Sequence, residues 1–371
     1  MCSSDLPLGP LGLDAAPPVL AVGAQQKGAI CLTRGGEAFL SQHLGDLDHP
    51  ACEALFVETI AKLSRLLDVR PEGVAHDLHP DYRSTRWALE AGLPRVAVQH
   101  HHAHVAACLA EHGRSGPAIG VAFDGTGCGP DGALWGGEFL LCDLAGFRRL
   151  IHLRPLPLPG GEAAIREPWR LGAAALADAG EPLDLLARID RRRLDAVRAL
   201  VADAPASSGA GRWFDAVAAL CAVRDEIEYE AQAAIELEAI GDPGPCDPYP
   251  FAIEPRGDRA PSEIDLRPAV RAIAADLRRA VPAPLVAARF HETMARIVAA
   301  GCHLLRERGA PSIVALGGGC FQSARLTRRA RDLLSERGFE VLLHRRVPPN
   351  DGGLALGQAA VAATRSAFAK E

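Results

Sequence analysis

The order of apolar segments constrains this chain most, because the same succession occurs twice. Residues 19–24 (VLAVGA) and 28–33 (GAICLT) read as short strands around a polar turn holding Lys27, and residues 37–43 as a third strand. A helix (51–68), a strand (73–75), a helix (81–91), a strand (95–98) and a histidine-bearing helix follow. Residues 119–123 (IGVAF) begin the order again, with the glycine-rich turn DGTGCGPDG and two strands from GGEFLLCDL and FRRLIHLRPLPL. Strand 312–316, helix 321–336, strand 340–344 and helix 352–368 complete the second copy. Three strands followed by alternating helices and strands, duplicated, predict an α/β protein of two related lobes facing across a cleft. We place a Pro/Gly-rich lead-in at 1–18, a first lobe at 19–115 and a second at 116–371, the break falling in HGRSGP. The second lobe carries a mainly helical insert over about 160–308. Its strongest helix, 284–308, puts Val286, Phe290, Met294, Ile297 and Leu304 near one face, while 203–211 and 241–250 read as loops.

Composition narrows the function. The 371 residues are 48% hydrophobic and 23% charged, enough for a sizeable core. A net charge of −6 leaves no basic surplus for a general nucleic-acid binder. No run of about 18 apolar residues and no charged n-region with an h-region occurs, which predicts a cytoplasmic protein without a membrane span. The ten cysteines contain no CxxC pair, so zinc fingers and thioredoxin-type motifs are excluded and reduced, mostly buried thiols are expected.

Chemistry concentrates in four places. In QHHHAH, His100 and His104 are four apart and share a helix face, a spacing that lets two imidazoles grip one ion, whereas His101 and His102 point elsewhere. Asp124 opens DGTG directly after a strand, either as part of an ordinary hairpin or as a carboxylate beside backbone amides that approach an anion. Gly317 to Gly319 follow strand SIVAL and precede a helix, which suits phosphate contact or a tight turn. Asp351, in PPNDGG, is either a helix N-cap or a metal ligand. All follow strands at the carboxyl edge of an α/β lobe, where ligands bind. Two imidazoles and two carboxylates meeting at one cleft make a site for Zn²⁺ or Fe²⁺.

These segments also carry a resemblance. QHHHAH (99–104), VAFDGTGCGPDGALWGGEFLL (121–141), LRPLPLPGGEAAIREPWR (153–170) and HRRVPPNDGGLALGQAAVA (344–362) resemble the HypF carbamoyltransferases that mature nickel–iron hydrogenases. AFLSQHLGDL (38–47) and AHDLHPDYRSTRWA (75–88) look the same way, so the likeness runs from about Val19 to Ala363. It covers the Kae1-like part of that family, which is similar to tRNA threonylcarbamoyladenosine synthases and antibiotic O-carbamoyltransferases. The resemblance implies the two-lobed ASKHA fold, the duplicated RNase H-like architecture of actin-like ATPases. It implies transfer of the carbamoyl group of carbamoyl-adenylate, made from carbamoyl phosphate and ATP, to the C-terminal cysteine of a HypE-type partner, where it becomes the cyanide ligands of the hydrogenase iron. Carried over by residue, His100, His104, Asp124 and Asp351 are the expected metal ligands. Gly125, Thr126, Gly127 and Gly317, Gly318, Gly319 are expected to line the nucleotide phosphates. Asp215, Gln232 and Glu236 fall where relatives contact the ribose. Lys27, His43 and His79 are candidates for holding the carbamoyl group, with Arg83 and Arg166 behind them; for each, a solvated or ion-paired surface role is the alternative.

Departures from the family pattern bear on the reading. The acylphosphatase, zinc-finger and YrdC-like parts of full-length relatives have no counterpart in these residues, so a YrdC-like protein acting in trans, a fragment of a longer chain and a paralogue with an altered role all stay open. Locally, AQLKN becomes AQQKG, YEGQAA becomes YEAQAA at Ala231, and GGVFQN becomes GGCFQS at Ser323. The rival functions are a small-molecule O-carbamoyltransferase, a tRNA-modifying transferase, and a non-catalytic nucleotide-binding scaffold.

Overall fold

The computed structural model describes residues 17–242, 244–257 and 260–365; the predicted lead-in and the end of the last predicted helix lie largely outside them. The first copy of the repeat forms β1 (Val19–Ala21), β2 (Cys31–Arg34), β3 (Glu37–Leu40), α1 (Pro50–Leu67), β4 (Gly73–Asp77), α2 (Arg83–Glu90), β5 (Arg95–Val98) and α3 (His100–Glu111). The second begins with β6 (Ala118–Cys128), β7 (Leu134–Cys142), β8 (Phe147–Leu153) and β9 (Leu156–Pro157). Next come α4 (Glu162–Arg166), α5 (Trp169–Asp178), α6 (Arg191–Leu200), β10 (Ala206–Ser207), α7 (Ala210–Leu220) and α8 (Gln232–Ile240). Then follow β11 (Ala252–Glu254), β12 (Ser262–Asp265), α9 (Arg267–Arg278) and α10 (Ala283–Glu307). The chain closes with β13 (Ile313–Gly317), α11 (Ala324–Ser335), β14 (Glu340–Leu342) and α12 (Leu354–Thr364).

Sheet order makes the duplication explicit. The smaller sheet runs β3-β2-β1-β4-β5, and the larger contains β8-β7-β6-β13-β14 in the same relation, extended by β12 and β11. In each, three antiparallel strands precede two parallel ones reached by helical crossovers. The expected two-lobed α/β architecture is what these residues form.

Two local expectations need correction. DGTGCGPDG is not one turn: β6 runs on to Cys128, with its ladder to β7 interrupted between Phe123 and Gly127, and the reversal is Gly129–Ala133. Glycines there permit a bulge that keeps the strand extended while redirecting Asp124. The loop expected over 203–211 holds β10 and the start of α7, because β10 pairs with β7 and β9, partners that sequence distance conceals. Within the mainly helical insert, β12 adds in parallel to β8 and β11 pairs with β12.

Two helices join the lobes. The sequence of α3 is buried from His100 to Ala110, and that of α12 from Leu354 to Ala363, so neither shows a polar face. Helix α3 packs on β6, β7 and β13 of the larger sheet, α12 on the smaller sheet, and the two pack on each other. Their Ala- and Gly-rich surfaces allow close approach: a Cβ on Gly357 would stand 1.8 Å from the Ala103 carbonyl oxygen. The fully buried Gln358 accepts a hydrogen bond from Gly23 N (2.8 Å) and donates to Gly23 O (3.2 Å), tying α12 to the turn after β1.

Candidate metal centre

The first turns of α3 aim His100 and His104 at the ends of β6 and β13. The Nε2 atoms of the two rings are 3.2 Å apart. Asp124 Oδ2 lies 3.3 Å from His100 Nε2 and 2.9 Å from His104 Nε2, and Asp351 Oδ1 lies 3.4 and 3.3 Å from the same atoms. A tetrahedron with arms of about 2.0–2.1 Å has edges of about 3.3 Å, so these separations are those of donors around one Zn²⁺-sized ion. All four donor atoms fall within 4.8 Å of one another. The donor set therefore fits a divalent cation.

Neighbouring groups outside the cluster orient Asp124 and His100. Asp124 Oδ1 accepts from Gly125 N (2.9 Å) and Gly319 N (3.1 Å), which turns Oδ2 toward the imidazoles. Asn350, not Asp351, caps the short turn Asp351–Gly353 by accepting from Gly352 N at 3.0 Å. The capping role weighed for Asp351 thus belongs to its neighbour, and Asp351 is free to face the histidines. His100 Nδ1 is 2.7 Å from Asp77 Oδ2 at the end of β4, and Asp77 is wholly buried. That bond sets the tautomer and aims Nε2 at the centre. Burial alone would push His100 and His104 down, but the surrounding carboxylates overcome it and raise both. Burial likewise opposes ionisation of Asp124 and Asp351, and the two imidazoles reverse that, holding both carboxyls below the usual range. The other two histidines behave differently: burial pushes His101 to about 3 and His102 to about 4. His102 Nε2 meets the Asp143 carbonyl at 2.7 Å, and His101 Nδ1 pairs with the Gln99 amide at 2.9 Å.

The glycine turns pack tightly around this cluster. A Cβ on Gly317 would meet the His104 backbone at 3.1 Å, and one on Gly318 (φ +96°) would meet Phe123 O at 2.4 Å. Gly127 lies against the His101 ring, and Thr126 sits half-buried on the bulge between Gly125 and Gly127. Gly125 faces the end of the Arg212 guanidinium. Arg212 is buried on α7, with Nη1 3.1 Å from Asp215 Oδ2. Burial raises the Asp215 carboxyl against the opposing charge of Arg212. On α8, Gln232 donates to Glu236 Oε1 (2.9 Å), which also pairs with Arg224 at 2.6 Å.

The remaining sequence candidates scatter. Lys27 forms an ion pair with Glu230, reaching from the first lobe to the loop before α8. His43 is exposed beyond the end of β3. His79 stacks on Tyr82 with ring centroids 4.4 Å apart and joins the cluster through its backbone N–H to Asp77 Oδ1. Arg83 pairs with Glu53 (3.0 Å) and Asp48 (3.5 Å), and the exposed Arg166 lies 3.7 Å from Glu162. Sequence reasoning passed over Asp77 and Arg212. For Asp77 the signal was its place at a strand's carboxyl end within HDLH; for Arg212 it was a lone cation opening an apolar helix after a glycine pair.

Known proteins share this sequence and fold. Residues 14–111 match the HypF Kae1-like domain model, and residues 120–358 match the model described as Carbamoyltransferase, Kae1-like Domain, second subdomain. Carbamoyltransferase HypF2 of Cupriavidus necator is 45% identical over 95% of this chain, and 47% of that relative is covered. A carbamoyltransferase HypF homolog of the same organism is 42% identical, with 95% of this chain and 93% of the relative covered. A crystal structure of full-length HypF in a phosphate- and nucleotide-bound form superposes with TM-score 0.91 and 38% identity over 96% of this chain and 47% of its own. HypF from T. kodakarensis gives 0.86 at 28% identity, over 96% of this chain and 48% of its own. The chain thus spans about half the length of most curated relatives it matches, the homolog of near-equal length aside. No helix among the described residues is long and apolar enough to cross a membrane. The two family models, the relatives and the fold place the chain in the HypF carbamoyltransferase family, whose Kae1-like part it matches.

Proposed function

We propose that this chain is a metal-dependent carbamoyltransferase that takes carbamoyl-adenylate and delivers its carbamoyl group to the C-terminal cysteine of a HypE-type partner. One observation carries the reading: four donors from α3, β6 and the turn before α12 converge between the lobes, enclosed by tightly packed glycine turns, with the buried Arg212 against Gly125. The thiolate sulfur attacks the carbamoyl carbon, the bond from that carbon to the adenylate oxygen breaks, and AMP leaves with the electron pair. A divalent ion such as Zn²⁺ or Fe²⁺, held by His100, His104, Asp124 and Asp351, would supply Lewis-acid stabilisation of charge developing on the phosphate side. Arg212 adds a fixed positive charge beside Gly125, in a setting where preorganised charge acts strongly. The turns at Gly125–Gly127 and Gly317–Gly319 fit the phosphate side of the nucleotide, and Asp215, Gln232 and Glu236 its ribose. Carbamoyl phosphate and ATP are the ultimate source of the donor, and a YrdC-like protein is the expected maker of the adenylate. A full-length HypF structure 38% identical to this chain is in a phosphate- and nucleotide-bound form, which supports a nucleotide and phosphate as ligands within the family.

The test is mass spectrometry of a HypE-type protein incubated with this chain, ATP, carbamoyl phosphate and a YrdC-like domain. The expected result is a carbamoyl mass on the terminal cysteine, lost in His104→Ala together with bound metal. An unmodified cysteine with the complete mixture would sink the proposal.

A further inference from the structure

Helix α3 does not end its chemistry at His104. Cys108 follows four residues later, about 6 Å further along the axis, and Glu111 three residues beyond, so both continue the face that carries the ligand pair. His344, on the segment leaving β14, meets them. Its Nδ1 is 2.9 Å from Glu111 Oε1, and the two side chains are only 4% and 1% exposed. Cys108 is wholly buried. One donor atom from each residue, a sulfur, a carboxylate oxygen and an imidazole nitrogen, lies within 4.8 Å of the other two.

What these groups lack matters as much as what they touch. Glu111 Oε2 is held by the backbone N–H groups of Arg345 (3.1 Å) and Arg346 (2.8 Å). Glu111 Oε1 and both ring nitrogens of His344, by contrast, are buried without a well-formed hydrogen bond. Buried polar atoms are ordinarily satisfied, yet His344 Nε2 has no partner and Nδ1 meets Glu111 only in a poorly directed contact. A cation at the common point of the three donors would engage the Cys108 sulfur, one Glu111 oxygen and one His344 ring nitrogen together.

We propose that Cys108, Glu111 and His344 form a second metal site, taking a borderline ion such as Zn²⁺, distinct from the four-donor cluster. A mixed sulfur, nitrogen and oxygen set selects Zn²⁺-like ions over Mg²⁺ or Ca²⁺. Binding converts the Cys108 thiol to a thiolate, its proton leaving to solvent, and makes a sulfur–metal bond. The site links the end of α3 to the segment that runs on from His344 to Asp351. Its role is to hold the two ligand-bearing segments of the first cluster in register.

Sulfur distinguishes the sites. The purified full chain, stripped with a chelator and titrated with Co²⁺ and separately with Zn²⁺, is expected to take two ions. The Co²⁺ form should show a near-ultraviolet thiolate-to-metal charge-transfer band, which the all-nitrogen-and-oxygen cluster cannot give. Cys108→Ser should abolish the band and one equivalent, and His344→Gln should do the same. His104→Ala should lose one equivalent and keep the band. Wild-type protein that binds a single ion without the band overturns the proposal without recourse to any variant, as does a band that survives Cys108→Ser in folded protein.

Discussion

A side chain that never touches an ion can still set how tightly it is held, and Asp77 is placed to do so through His100. Asp77→Asn keeps the shape but removes the charge that favours Nδ1–H on the ring. Metal affinity, measured by competition with a chromophoric chelator, should fall about 10–100-fold with an unchanged circular-dichroism spectrum. Unchanged affinity would mean that packing alone orients His100. A second residue explains a departure from the family pattern. Ala231 has φ +60°, in the left-handed region where a Cβ is strained, and this is where the family motif carries glycine. Ala231→Gly should raise stability by about 1 kcal/mol in urea unfolding; a loss of stability would show that the methyl contributes packing that outweighs the strain. Ser323, the other exchange near the glycine turn, caps α11 by accepting from Leu326 N at 3.1 Å, so the shorter side chain has work of its own.

Elements bring these residues together, and sequence periodicity reveals elements unevenly. The helical spacing of His100 and His104 was legible because four residues on a helix fix a common face whatever surrounds it. The bulge in β6 was not, because it exists only against β7, and a glycine-rich run reads equally well as a turn. Strands β10, β11 and β12 were hidden for the same reason, being too short to carry a period and defined by remote partners. The neighbouring β7 carries a buried ion pair that no pattern announces: Glu138 is fully buried, with Oε2 2.6 Å from Arg149 Nε and Oε1 accepting from Ser208 Oγ. Burial opposes its ionisation, but the charge and hydrogen bonds of Arg149, with His101 and Ser208, leave its carboxyl below the ordinary 4.5. Its stabilising contribution is therefore complete above pH 4.5 and is lost as pH falls through the lowered folded value. Glu138→Gln should cost roughly 3 kcal/mol at pH 7. The gap from wild type should narrow in urea titrations below pH 4.5; a constant gap would mean that shape, not charge, is what Glu138 supplies.

For the molecule as a whole, the repeated order of segments predicted two lobes, and the sheets repeat that order strand for strand. What linear reading misses is the exchange at their junction. Helix α3 lies in the first lobe by sequence yet packs on the larger sheet, and α12, from the far end of the chain, covers the smaller one. Residues 1–115 expressed alone should therefore leave an apolar sheet face and an apolar helix in water, binding a hydrophobic dye and unfolding without a cooperative transition. Co-expression with 116–371 should restore one; cooperative unfolding of the first piece by itself would show that the exchange is dispensable. The crossing at Gly357 and Ala103 has a mechanical meaning as well. His100 and His104 ride on one of the crossed helices, and Asp351 stands three residues before the other. The candidate ligands His100, His104 and Asp351 thus lie at the crossing of the two helices, while Lys27 and Glu230 pair across the lobes. A swing about that crossing would part Lys27 from Glu230 and leave these three donors together, so an ion held there should outlast the motion.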